Sequence, residues 1–187
     1  MDNHSSRRRE SGGIAWRLAL GLIALFCVSL GLLSCRGVDW FLVKRSLHSK
    51  FHDVPWITTR ELADWLADQR RPQPVLLDVR TPAEWNVSHL PGARRVAPEA
   101  DAKTAAHGLP KDTPIVTYCS VGYRSAKMAE RLRAAGYRRV QNLEGSIFEW
   151  ANERRPLVRE GEPVVRVHPY NSVWGHLLEP AVRAPLP

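Results

Sequence analysis

Pro114-Ile115-Val116-Thr117-Tyr118-Cys119-Ser120-Val121-Gly122-Tyr123-Arg124-Ser125 is the stretch that decides how this chain is read. Its opening residues are apolar or β-branched, a run suited to a short buried strand. The run passes straight into Cys119, and Ser125 to Ala135 is then helical in composition. Met128 and Leu132 stand one turn apart there, and Gly136 is placed for a C-cap. A cysteine at the carboxyl end of a parallel strand lies where open α/β sheets place ligands. Backbone N–H groups of residues 120 to 125 lead into a helix N-terminus and can curl into an anion cradle that the helix dipole reinforces. Both effects pull a thiol below its free pKa of about 8.5 and give a thiolate near neutral pH. Gly122 permits a tight turn, and Arg124 adds a forked donor suited to an oxyanion. A lone cysteine at a strand end reads more simply as a buried small residue. The glycine, arginine and helix start within the next six residues favour a nucleophile. Cys119 is therefore the candidate catalytic residue, with Ser120, Val121, Gly122, Tyr123, Arg124 and Ser125 as candidate substrate-binding residues.

Outward from that loop, strands alternate with helices. Thr58 can cap a helix and Glu61 completes a capping box three residues later, ahead of an apolar stripe at Leu62, Trp65 and Leu66; Pro72 and Pro74 end it. Residues 75–79 form an apolar run suited to a strand, and residues 81–85 read as a capped turn with Pro82 at its first position. Pro91-Gly92 marks a turn before a short strand at 94–96. Residues 139–143 read as another strand and 145–152 as a helix carrying Ile147, Phe148 and Trp150. The alternation predicts an α/β domain over residues 58–152 with a small, mainly parallel sheet flanked by helices.

With these motifs in place, the chain closely resembles the rhodanese family of sulfurtransferases. Residues 119–125 resemble its active-site loop, Leu77-Asp78-Val79-Arg80 its early strand motif, and Glu84-Trp85 with His89-Leu90-Pro91-Gly92-Ala93 its segment before the third strand. Gly145 to Trp150 resembles its closing Gly-Gly-x-x-x-Trp pattern. Ser88 and Ser146 depart from the pattern, each standing where the family usually has glycine. The resemblance implies a three-layer fold and transfer of sulfane sulfur. The Cys119 thiolate attacks a donor such as thiosulfate, sulfite leaves, and a thiol or other thiophilic acceptor takes the sulfur from the Cys119 persulfide. It also implies that Asp78 and Arg80 sit at the pocket rim and bind substrate or organise the loop, the alternative being a structural salt bridge. Four residues separate Cys119 from Arg124, the sulfurtransferase spacing; related dual-specificity phosphatases have one more, so phosphatase activity is the weakest reading. A sulfur-carrier or protein-binding module without free turnover is the main competitor. No cofactor is implied.

The 187 residues carry 27 Lys plus Arg against 19 Asp plus Glu, a net charge of +8. That length allows one domain with appendages. The charge is spread along the chain, +4 over residues 1–57, +3 over 58–152 and +1 over 153–187, with no dense basic footprint, so no nucleic-acid partner is expected. Three cysteines, Cys27, Cys35 and Cys119, exclude a disulfide scaffold and a four-cysteine zinc site. His168 and His176 lack metal-ligand spacing, and no metal is assigned.

The sharpest basic cluster, Arg7-Arg8-Arg9, precedes 18 uncharged residues, 18–35, which as a hydrophobic helix reach roughly 27 Å against a hydrocarbon core of about 30 Å. This length leaves an uncleaved membrane anchor and a cleavable signal both open. Leu32-Leu33-Ser34-Cys35 resembles a bacterial lipobox, making Cys35 a possible lipidation site. Either route places the following domain on the periplasmic or extracytoplasmic side of a membrane, although Arg36, Lys44, Arg45 and Lys50 weaken the positive-inside argument. Trp40 to Val43 is read either as resting at the membrane interface or as packing on the soluble domain. Residues 36–57 are otherwise expected to be a linker, and residues 153–187, with six prolines, a C-terminal extension that wraps the domain or meets a protein.

Overall fold

Five short strands form one parallel sheet in the computed structural model, which describes residues 39–186. They are β1 (Trp56–Ile57), β2 (Val75–Asp78), β3 (Arg94–Arg95), β4 (Ile115–Tyr118) and β5 (Val140–Leu143), in the order β1-β5-β4-β2-β3. Every pairing is parallel. β4 is central, with Leu77 registered on Thr117 and Asp78 on Tyr118. Such a strand is covered on both faces and must be apolar throughout. All four β4 residues are buried accordingly.

Helices cover both faces. On one, α2 (Thr59–Ala67) and α6 (Ser146–Asn152) bring Leu62, Trp65, Ile147, Phe148 and Trp150 against Leu76, Val116 and Tyr118. On the other, α5 (Tyr123–Ala134) brings Met128, Ala129 and Leu132 against Leu77, Ile115 and Val140. The expected three-layer α/β architecture is therefore observed. α2 begins as its sequence requires, with the Thr58 side chain accepting from the Glu61 N–H while Glu61 accepts from the Thr58 N–H. The same reciprocal box at Thr81 and Glu84 starts the short α3 (Pro82–Trp85). A further turn of helix, α4 (Ala102–Ala105), lies before β4 and was not foreseen from the sequence.

The expectation of a linker before the domain is corrected. Residues 39–50 form helix α1 and do not act as a linker. Leu47 is buried with Phe51 and Val54, Lys44 Nζ pairs with Glu149 at 2.6 Å and Glu144 at 3.0 Å, and His48 stacks on Trp56. The apolar residues of α1 thus find their partner in the domain. Trp40 and Val43 pack against the core, whereas Phe41 and Leu42 remain exposed.

The Pro-rich C-terminal extension is also built into the fold. It makes a hairpin of β6 (Leu157–Arg159) and β7 (Glu162–Val164) and then a short helix, α7 (Ser172–Gly175). Val167, Leu177, Leu178 and Val182 are at most 1 % exposed. The Asn152 side chain donates to the Leu177 carbonyl and accepts from the Glu179 N–H, both at 2.8 Å. Prolines here punctuate a return path over the core, as the wrapping alternative requires.

Residues 18–35, with the anchor, signal and Cys35 lipidation readings, lie outside the described residues. Among the described residues no helix is long and apolar enough to cross a membrane.

Candidate functional site

Cys119 follows the last residue of β4, and the chain then turns through Gly122 into α5. Gly122 has φ +117°, a conformation that L side chains rarely adopt. A Cβ there would sit 3.3 Å from Leu47 Cδ1, so α1 backs the loop and closes the space behind it. The Gly122 carbonyl accepts from Asn142 Nδ2 at 2.9 Å. From the far side, the first N–H groups of α6 donate to the loop: Ile147 to the Cys119 carbonyl and Phe148 to the Ser120 carbonyl, each at 3.2 Å. Donors on neighbouring elements therefore fix the loop from both sides.

The Cys119 thiol is only 1 % exposed, and its sulfur accepts from the Gly122 N–H at 3.2 Å. Burial pushes its pKa up, the largest single influence. The Arg124 charge and hydrogen bonds from Ser125 and Gly122 outweigh burial, so the thiol lies below its ordinary value. The Ser125 hydroxyl is buried and makes no hydrogen bond with the neutral thiol, and its favourable effect is on the ionised sulfur.

The structure gives a role at the site to Glu84, which the sequence placed in a capped turn and in the Glu84-Trp85 motif of the resemblance. Its carboxylate is buried and accepts Arg124 Nη1 at 2.8 Å, Arg124 Nη2 at 2.6 Å, Ser120 Oγ at 2.8 Å and the Thr81 hydroxyl at 2.8 Å. Burial raises the Glu84 pKa, but Arg124, Thr81 and Ser120 bring it down to about 2. Arg124 consequently reaches the sulfur as half of an ion pair. The forked donor that the sequence offered to an oxyanion thus meets the Glu84 carboxylate in the structure.

A cavity of about 130 Å³ opens on the sulfur. Cys119, Ser120, Val121, Tyr123 and Arg124 form its loop side, and Tyr170 and Trp174 from the C-terminal segment form its other wall. Gly122 and Ser125 lie beneath the loop and support the thiol rather than line the cavity. Asp78 and Arg80 do not reach it. Both are fully buried, Arg80 donates to Asp78 Oδ1 and Oδ2 at 2.8 and 2.6 Å and to the Ser88 carbonyl at 2.6 Å, and the structural salt bridge replaces the substrate-binding role. Among the described residues no His, Cys, Asp and Glu are grouped to hold a metal ion.

Comparison with known proteins agrees with this geometry. The rhodanese-like domain family matches residues 58–153. This chain belongs to the rhodanese-like family. A sulfurtransferase of Allochromatium vinosum is 36 % identical over 102 residues, covering 54 % of this chain and 92 % of that protein. A Mycobacterium tuberculosis protein described as a probable adenylyltransferase/sulfurtransferase, MoeZ, is 37 % identical over 101 residues, and this chain spans only 25 % of its length. The solution structure of a rhodanese-like domain from Anabaena sp. aligns with a TM-score of 0.52 at 25 % identity, covering 56 % of this chain and 79 % of that one.

Within this rhodanese-like domain the two serine departures have different consequences. Ser146 takes φ +49°, unusual for a non-glycine residue, and its hydroxyl accepts from the Cys119 N–H at 3.2 Å while donating to the Leu143 carbonyl at 3.1 Å. It keeps the backbone that glycine would allow and adds a tether to Cys119. Ser88 is fully buried, its hydroxyl has no partner, and only its carbonyl works, as the acceptor for Arg80. The C-terminal aromatics at the cavity lie beyond the family match and carried no motif that pointed to them.

Proposed function

We propose that this chain is a rhodanese-type sulfurtransferase that passes sulfane sulfur through a Cys119 persulfide. The supporting observation is a thiol at the end of the central strand, held below its ordinary pKa by Arg124, Ser125 and Gly122 and open to a small cavity. The thiolate attacks the outer sulfur of a donor such as thiosulfate, the S–S bond breaks, and sulfite leaves with its electron pair. A thiolate acceptor then attacks the outer persulfide sulfur, forming its own persulfide and restoring the Cys119 thiolate. The Gly122 N–H and the Arg124 guanidinium hold negative charge on sulfur in both steps. Incubating the full chain with thiosulfate is expected to add the mass of one sulfur atom on Cys119, and Cys119→Ala is expected to show neither adduct nor turnover. An unmodified wild-type protein, or an active alanine variant, overturns the reading.

Residues 18–35 attach this domain to a membrane, a reading supported by the sequence alone. The mass of the mature N-terminus discriminates the two routes: a lipidated Cys35 signifies a lipoprotein, an intact Met1 an uncleaved anchor. A chain beginning at another residue below 40 and recovered free of membranes refutes attachment.

A further inference from the structure

We propose that Tyr170 and Trp174, with the groove they lead into, form a subsite for the apolar body of an organic sulfane-sulfur carrier, such as an aryl thiosulfonate. This rests on the sulfur-transfer reading and narrows its substrate class.

Two independent features carry it. The first is shape and polarity. Tyr170 and Trp174 face Val121 and Tyr123 across the cavity above Cys119, and Val121, Tyr123 and Trp174 also line an adjoining groove of about 320 Å³. Leu42, Val43, Ser46 and Leu47 of α1 complete that groove, so mostly apolar walls lead from the cavity toward the surface, with Ser120, Arg124 and Ser46 as the polar interruptions. A cavity of about 150 Å³ holds a benzene ring, and the 130 Å³ here continues into more than twice that space. Leu42 is 56 % exposed and Tyr170 45 %, an apolar patch at the mouth of a reaction site rather than scattered surface residues.

The second feature is charge. Both terminal nitrogens of Arg124 already donate to Glu84, and the Tyr170 ring lies 5.0 Å from its guanidinium carbon. Thiolate, arginine and carboxylate together carry one net negative charge where the donor must bind. Lys50 and Lys127 lie over the Tyr123 ring at 5.0 and 5.1 Å but on exposed side chains, where salt screens them. A monoanion that contributes apolar contact suits such a site better than a small dianion. Tyr170 itself holds φ +65°, a conformation that a bulky residue keeps only when its surroundings impose it, and the Tyr170 N–H is pinned to His168 Nδ1 at 3.0 Å.

In the first step the Cys119 thiolate attacks the outer sulfur of the thiosulfonate. The Cys119 S–S bond forms, the donor S–S bond breaks, and the sulfinate leaves as a monoanion, so charge and electrons balance without an added oxidant or reductant.

The test compares benzenethiosulfonate with methanethiosulfonate as donors to the full chain, with cyanide as acceptor. The kcat/KM ratio of benzene to methane donor is expected to be at least tenfold in the wild type and to fall at least threefold in both Tyr170→Ala and Trp174→Leu. Should the half-buried Trp174 variant misfold by circular dichroism, the exposed Tyr170 variant decides. A ratio unchanged by the substitutions, with a sulfur adduct still forming on Cys119, overturns the subsite and leaves sulfur transfer standing. No adduct from either donor overturns both.

Discussion

Glu84→Gln is expected to cost about 3 kcal/mol of stability at neutral pH and to lower kcat/KM at least tenfold. The Glu84 carboxylate is held at about 2 in the folded protein against 4.5 for a free glutamate. At roughly 1.4 kcal/mol for each pKa unit, that difference is the origin of the 3 kcal/mol. Because the folded value is depressed, the stabilisation is complete above about pH 4.5 and disappears as the pH falls toward 2. Wild type should therefore lose stability across that window, and the gap between wild type and variant should close there. The loss of activity has a separate cause. Glutamine is neutral and places N–H groups against donors, so Arg124 and Ser120 lose one of their two acceptor edges and the guanidinium swings away from its position beside the sulfur. Urea titrations at pH 7 and pH 3, together with turnover at pH 7, measure both effects. A stability difference below about 0.5 kcal/mol, or one independent of pH, removes Glu84 from the role assigned to it.

The position of Glu84 shows which parts of this protein its sequence displays. Strand β4, the turn at Gly122 and helix α5 are contiguous, so local pattern was enough to place Cys119 at a strand end before a helix. Glu84 is 36 residues from Ser120 and 40 from Arg124. Its local signatures are the capping box with Thr81, which satisfies a helix start, and the Glu84-Trp85 motif, and neither shows the second use of the same carboxylate. A capping glutamate that is also buried is the signal, and burial is not readable from a four-residue turn. Helix α1 was hidden for a related reason. Its apolar residues follow a membrane-like segment, and only the tertiary pairing of Lys44 with Glu144 and Glu149 shows where they belong. Tyr170 and Trp174 reach the cavity through a Pro-rich path whose direction no periodicity encodes.

Asp78→Ala is expected to destabilise the fold by about 3 to 5 kcal/mol, the usual result of leaving one member of a buried ion pair without its partner. Asp78 and Arg80 are both fully buried, two residues apart at the end of β2. Without Asp78, Arg80 keeps only the Ser88 carbonyl among its hydrogen-bonded acceptors, and its Nη1 already has none. A guanidinium so placed cannot shed its proton at any accessible pH, so the charge stays and the fold bears the desolvation. Replacing both residues, Asp78→Leu with Arg80→Met, removes the charges together and is expected to recover most of the loss. Urea unfolding followed by tryptophan fluorescence separates these outcomes. A single variant within about 0.5 kcal/mol of wild type contradicts the structural role, and a double variant no better than the single contradicts the pairing. The same pair reaches the reaction site through the backbone. The Val79 N–H donates to the Tyr118 carbonyl at 2.8 Å, and the Tyr118 hydroxyl accepts from the Leu90 N–H at 3.1 Å. Asp78 and Arg80 therefore hold the strand end and the 88–90 turn on either side of Tyr118, the residue before Cys119. In this way they fix where Cys119 begins, although neither lines the cavity above the thiol.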